Sequence, residues 1–137
     1  MSQTKSPMQN ALPPVTFDRL HETRLRDLAF STSRTLSDIS ERLLEELDRG
    51  NFVAHEEMPE NIINIGSDIT FTSGSIRHPQ NVILSFPEDA DIAARRISVL
   101  TPIGVALIGL SAGSHMQWQN RAGETRLLTV HNVKPAD

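Results

Sequence analysis

Cysteine is absent from the 137 residues, and so is tyrosine, while tryptophan occurs once. Without a thiol there can be no disulfide framework, no zinc–thiolate site and no cysteine nucleophile. That fits a cytoplasmic setting. With five Phe and one Trp, aliphatic side chains must fill most of any core. An apolar fraction of 38% supports a modest core, enough for one domain or a domain with a small appendage. An excess of basic charge is also missing: the formal net charge is −4. Neutralising phosphates needs a basic face, so strong direct nucleic-acid binding is not expected, and recognition of another protein fits better. Long apolar runs are lacking too. The longest apolar-rich stretch, Ile103 to Leu110, is interrupted by glycine and too short to cross a bilayer. Residues 1–14 carry one Lys and no sustained apolar run, so they read as neither signal peptide nor anchor. No membrane partner is expected.

The pattern that is present divides the chain. Residues 1–14, with Pro7, Pro13 and Pro14, read as a disordered tail. From Phe17, Leu20, Leu25 and Leu28 recur at near-helical spacing and predict a helix over 18–30, with Asp18 as N-cap. Ser31 to Ser33 mark a break. Leu36, Ile39, Leu43 and Leu47 then predict a second helix over 35–49. It opens on a Thr35/Asp38 capping box, and Gly50 stands where a left-handed C′ residue belongs. The short break predicts an antiparallel helical hairpin over 15–50.

Residues 51–61 read as an acidic linker. Beyond it the period changes to two. Strands are predicted around Ile62 to Ile65, Ile69 to Phe71, Val82 to Phe86, Ile97 to Val99, Met116 to Trp118 and Leu127 to Val133. One short helix over Pro102 to Ile108 interrupts them, with proline at its first position. The fold class is therefore α+β: a helical hairpin followed, over 62–137, by a sheet domain with one short helix.

Chemistry is hard to find. His21, His55, His78, His115 and His131 show no metal-ligand spacing. Glu88, Asp89 and Asp91 form the densest acidic group, but the stretch lacks the length and glycine of a calcium loop and reads as a solvated loop. No nucleophile elbow and no phosphate-binding glycine loop occurs. No catalytic, cofactor-binding or metal-binding residue is assigned, and no enzyme activity or cofactor is expected.

Residues 97–133, ISVLTPIGVALIGLSAGSHMQWQNRAGETRLLTVHNV, resemble the C-terminal domain of the Gre transcript-cleavage factors. The likeness lies in the strand I-S-V, the T-P step, a helix ending A-L-I-G, a glycine turn, and two strands joined at Ala122-Gly123. The acidic loop at Asp89-Ala90-Asp91 is similar as well. Residues 41–71, with L-x-x-E-L-D-R, an acidic proline-containing linker and I-I-N-I-x-S-x-I-x-F, are similar to the Rnk branch, the regulators of nucleoside diphosphate kinase. The resemblance implies an FKBP-like twisted antiparallel sheet that docks on the rim of RNA polymerase's secondary channel. Competition with Gre factors at that channel is compatible with it.

In Gre factors a long coiled coil carries an acidic tip that holds Mg²⁺. A helix over 35–49 would be only about 22 Å long at 1.5 Å per residue, and the tip from Ser31 to Arg34 has no carboxylate. Stimulation of transcript cleavage is therefore not expected. The position of Thr101-Pro102 in the family contributes to polymerase contact, so Leu100, Thr101, Pro102 and Ile103 are the candidate partner-binding residues. Leu100 can be read as an exposed anchor or as core, and Ile103 as core. Two other readings attach to the resemblance. One is a peptidyl-prolyl isomerase, which would need a pocket lined by several aromatics; Phe71, Phe86 and Trp118 are the only ones in this half and are expected in the core. The other is an indirect regulator of nucleoside diphosphate kinase levels.

Overall fold

The computed structural model describes residues 12–31, 37–74, 78–119 and 122–136. The first element is a strand, not a helix. β1 (Thr16–Asp18) runs into a 3₁₀ turn over Arg19–His21, and only then comes α1 (Glu22–Ser31). The expected helix start at 18 is thus four residues early. Asp18 does cap, but it caps the 3₁₀ turn, its side chain accepting from the Leu20 N–H at 2.9 Å. What overrides the helical pattern is pairing across the chain: β1 lies parallel to β2 (Asn51–Val53), with Phe17 opposite Phe52.

The second helix is α2 (Ser37–Arg49). Thr35, half of the expected capping box, lies outside the described residues. Leu43 and Leu47, four apart, are fully buried, with Ile39 and Leu44 packed against the core beside them. They share one buried cluster with Leu25 and Ala29 of α1. Each buried leucine contributes about 1.5–3 kcal/mol. Arg26 of α1 reaches Asp48 near the far end of α2 at 3.0 Å, so the two helices are antiparallel.

Gly50 is not left-handed, contrary to its C′ reading. It is needed for space: a Cβ there would collide with the Phe17 ring. The segment 51–61, expected as a linker, carries β2 and a 3₁₀ turn over His55–Glu57. Of the expected tail, Pro13 offers its carbonyl to Arg49 at 2.7 Å; Val15, just after it, is buried.

The second half builds a five-stranded sheet from β3 (Asp68–Ser73), β4 (Gln80–Ser85), β5 (Arg96–Ser98), β6 (His115–Gln119) and β7 (Thr125–Lys134), in the order β5-β4-β3-β7-β6. One pair, β4 with β5, is parallel, and the others are antiparallel. Ile62 to Ile65 are not a strand of this sheet. Ile62 bridges Ser111, and Ile63 exchanges backbone hydrogen bonds with Leu110 and Gly109.

A bulge between Thr70 and Phe71 leaves His131 of β7 without a register partner. The extra residue shifts the parity of β7, so Leu128 and Val130 and then Val133 all face the core. The short helix α3 (Pro102–Leu107) buries Gly104 to Leu107. One buried cluster includes Phe17, Leu25 and Leu43 from the first half and Ile69, Leu84, Leu107 and Val130 from the second.

Candidate functional site

The corner that leads from β5 into α3 is built by side chain–backbone bonds. Ser98 Oγ accepts from the Leu100 N–H at 2.9 Å. The Thr101 hydroxyl donates to the Ser98 carbonyl at 2.8 Å and accepts from the Gly104 N–H at 3.0 Å. Thr101 is therefore the N-cap of α3 and Pro102 its first residue, where the missing N–H costs nothing. Gly104 is required because a Cβ would press on the Ser98 carbonyl and stand 2.8 Å from the Val99 Cα.

Leu100, read two ways from sequence, is 8% exposed and belongs to the core cluster. Ile103 is half-buried and lines an open cleft of about 270 Å³ together with Phe71, Ser73, Val82, Ile97, Trp118 and Arg126. Of the four candidate residues, Thr101, Pro102 and Ile103 thus offer partial surface, and Leu100 supports them from beneath. In the cleft, Trp118 Nε1 donates to Ser73 Oγ at 3.0 Å. Phe86 points elsewhere: its ring meets His21 edge-on and the Arg24 guanidinium, 3.8 Å away.

A second polar centre joins the two halves of the chain. Asp18 is buried, its side chain wholly inaccessible. Its carboxylate meets His55 Nδ1 at 2.6 Å, the Asn64 amide at 2.9 Å and the Leu20 N–H. Burial by itself raises the pKa of Asp18. The hydrogen bonds from His55, the Leu20 N–H and Asn64 outweigh it, and the carboxyl sits below its usual value. His55 is raised in turn, through the hydrogen bond to Asp18 and then its charge. His21 moves the other way because it is half-buried. Sequence reading missed this centre: Asp18 looked like a helix cap and His55 like a solvated residue, while Asn64 stands 46 residues from Asp18.

The acidic loop is also more ordered than its composition suggests. Glu88 pairs with Arg24 of α1, and the Asp91 carboxylate accepts from the Ala93 N–H at 3.1 Å. Among the described residues no three His, Asp or Glu side chains are placed to hold a metal ion, and no helix is long and apolar enough to cross a membrane.

The family of transcription elongation factors defined by the GreA/GreB C-terminal domain matches residues 58–135. The chain belongs to that family. The regulator of nucleoside diphosphate kinase of Escherichia coli K12 is 30% identical over 92 residues, spanning 67% of this chain and 68% of the relative. The same protein of Shigella flexneri matches equally. Among solved structures, a prokaryotic GreA/GreB transcription elongation factor from Nitrosomonas europaea superposes with a TM-score of 0.69 at 29% identity, over 89% of this chain and 98% of that one. The resemblance read in residues 41–71 and 97–133 thus holds, as does the arrangement of helical hairpin and sheet. Within this GreA/GreB family member, the matched region takes in the sheet, the Thr101 corner and His131 at the bulge, but not the hairpin.

Proposed function

We propose that this family member is a transcription regulator that docks on RNA polymerase at the rim of the secondary channel through its sheet domain and does not stimulate transcript cleavage. The supporting observation is the combination of a GreA/GreB C-terminal domain with a short arm whose tip sequence lacks carboxylates. The 13 residues of α2 give about 20 Å of helix at 1.5 Å per residue. No Asp or Glu occurs between Asp27 and Asp38, the stretch that includes the turn of the hairpin. Holding Mg²⁺ at the tip would need carboxylate oxygens there. Length and chemistry together argue for occupation of the channel mouth without catalysis inside it.

The docking surface is assigned to Thr101, Pro102 and Ile103, supported by Leu100. The test pairs two assays. Core polymerase should retain the wild-type chain and release it on addition of a Gre factor, and Pro102→Glu, placed where a helix N-terminus tolerates an acid, should weaken retention. Stalled elongation complexes should show no increase in transcript cleavage. Failure of the wild type to bind sinks the function, undiminished binding by Pro102→Glu sinks the site, and stimulated cleavage sinks the argument from the arm.

A further inference from the structure

Ile92 is the most exposed large apolar side chain among the described residues, at 91%. It stands at the apex of a loop whose backbone is held at every step. The Asp89 N–H bonds the Phe86 carbonyl and the Ala90 N–H that of Pro87. Asp91 and Arg96 exchange two backbone hydrogen bonds, each 2.9 Å. The Asp91 side chain caps Ala93, and the Arg95 N–H closes on the Ile92 carbonyl at 3.0 Å. Arg95 takes a left-handed conformation at φ 61°, which costs a side chain-bearing residue about 1–2 kcal/mol. The loop is anchored from behind by the Glu88–Arg24 pair and by Arg24 over Phe86. A rigid loop that carries strain and presents a β-branched apolar residue to solvent is organised in advance for contact.

This loop and the Thr101 corner occupy the two ends of β5, the outer strand of the sheet. Three residues separate them, about 10 Å at 3.3 Å per residue. One standard interface of about 800 Å² per partner, a disc roughly 30 Å across, takes in both ends. The edge between them is already closed: Arg96 is bonded to Asp91, and the Ser98 carbonyl accepts from Thr101. A partner therefore meets side chains here and cannot add a strand.

We infer that the outer margin of β5 is one continuous docking face for RNA polymerase, with Ile92 as its apolar anchor and Thr101 to Ile103 as its other end. The inference rests on the polymerase reading above. Asp89 precedes the anchor, and Arg95 and Arg96 follow it, all exposed. The matching polymerase surface is thus an apolar socket flanked by charges of opposite polarity, which sets the orientation of docking.

At 91% exposure Ile92 can be replaced without disturbing the core. The experiment measures the affinity of core polymerase for full-length wild type, Ile92→Asp and Leu20→Asp by surface-immobilised titration, with thermal melts of all three. Leu20, 62% exposed, lies on the 3₁₀ turn before α1 and serves as the control. The expected result is equal melting, a tenfold or greater loss of affinity for Ile92→Asp, and an unchanged Leu20→Asp. Wild-type binding with Ile92→Asp equally tight overturns the anchor and leaves the polymerase reading standing. Equal losses in both variants also overturn the anchor, since the effect would then follow added negative charge. Absence of wild-type binding overturns the polymerase reading, and the anchor with it.

Discussion

Two acidic residues tie the helical part of this chain to its sheet domain, and they do so in opposite environments. Asp18 is sealed from solvent and accepts from three donors that come from the first turn, the 51–61 segment and the start of the sheet domain. Glu88 meets Arg24 with both side chains more than half exposed. The same charge chemistry has different weight in the two places. Water competes for the Glu88 pair and salt screens it, whereas removing the buried Asp18 leaves the Leu20 N–H and the part-buried Asn64 amide without this acceptor. The contrast indicates that the joint between hairpin and sheet is held at Asp18 and only trimmed at Glu88.

The largest test of that contrast is Asp18→Ala. It should lower stability by about 2–3 kcal/mol through unsatisfied donors, a drop in Tm of roughly 7–10 °C for a chain of this size, read by calorimetry. A loss no greater than that of Glu88→Ala would break the comparison. Next, Gly50→Ala presses a methyl group on the Phe17 ring beside the joint and should cost about 1–3 kcal/mol by overpacking. An unchanged melt would show that β1 shifts freely.

A smaller effect is the pH dependence of the Asp18–His55 pair. The folded pKa of Asp18 lies below 3.8, so its stabilisation is present above that value and is lost as pH falls through the folded pKa. The folded pKa of His55 lies above 6.5, so its contribution is complete below 6.5 and disappears as pH rises through the folded value. His21, depressed by burial, works against stability as pH falls below 6.5. The difference in Tm between wild type and His55→Gln isolates the pair: it should be constant from about pH 4.5 to 6.5 and shrink above. A difference that grows with pH would reverse the assignment. The smallest effect belongs to the exposed pair. Glu88→Ala should change stability by under about 1 kcal/mol and less still in high salt, measured by denaturant midpoints at two ionic strengths.

Much of the local architecture was legible in the residues. The stripe of Ile39, Leu43 and Leu47 announces α2 because a helix repeats every 3.6 residues and burial selects the repeating face. The alternation of Ile69 and Phe71, and of Val82 and Leu84, announces β3 and β4 for the corresponding reason at period two. The T-P step announces α3, because proline and a threonine cap are both suited to a helix start. Other elements were not legible. Thr16 to Asp18 carry no strand pattern of their own; they become β1 only because Asn51 to Val53 lie alongside. Gly50 has the place of a helix terminator, yet what demands glycine is an aromatic ring from 33 positions earlier. Leu100 has no neighbours in sequence that tell exposure from burial, and its place in the core depends on how α3 packs against the sheet.

The sequence by itself determined the two-part α+β order, the short arm without carboxylates at its turn, and the family to which the chain belongs, since each is written in local periodicity, residue type or motif. The tertiary structure alone decided that the segment after the hairpin pairs back to β1, that His55 and Asn64 converge on the buried Asp18 carboxylate, and that Ile92 stands out at one end of β5 while Leu100 sinks beneath the other. Those features arise from contacts between residues tens of positions apart, where burial and hydrogen-bond satisfaction are settled by the assembled fold and no local pattern carries them.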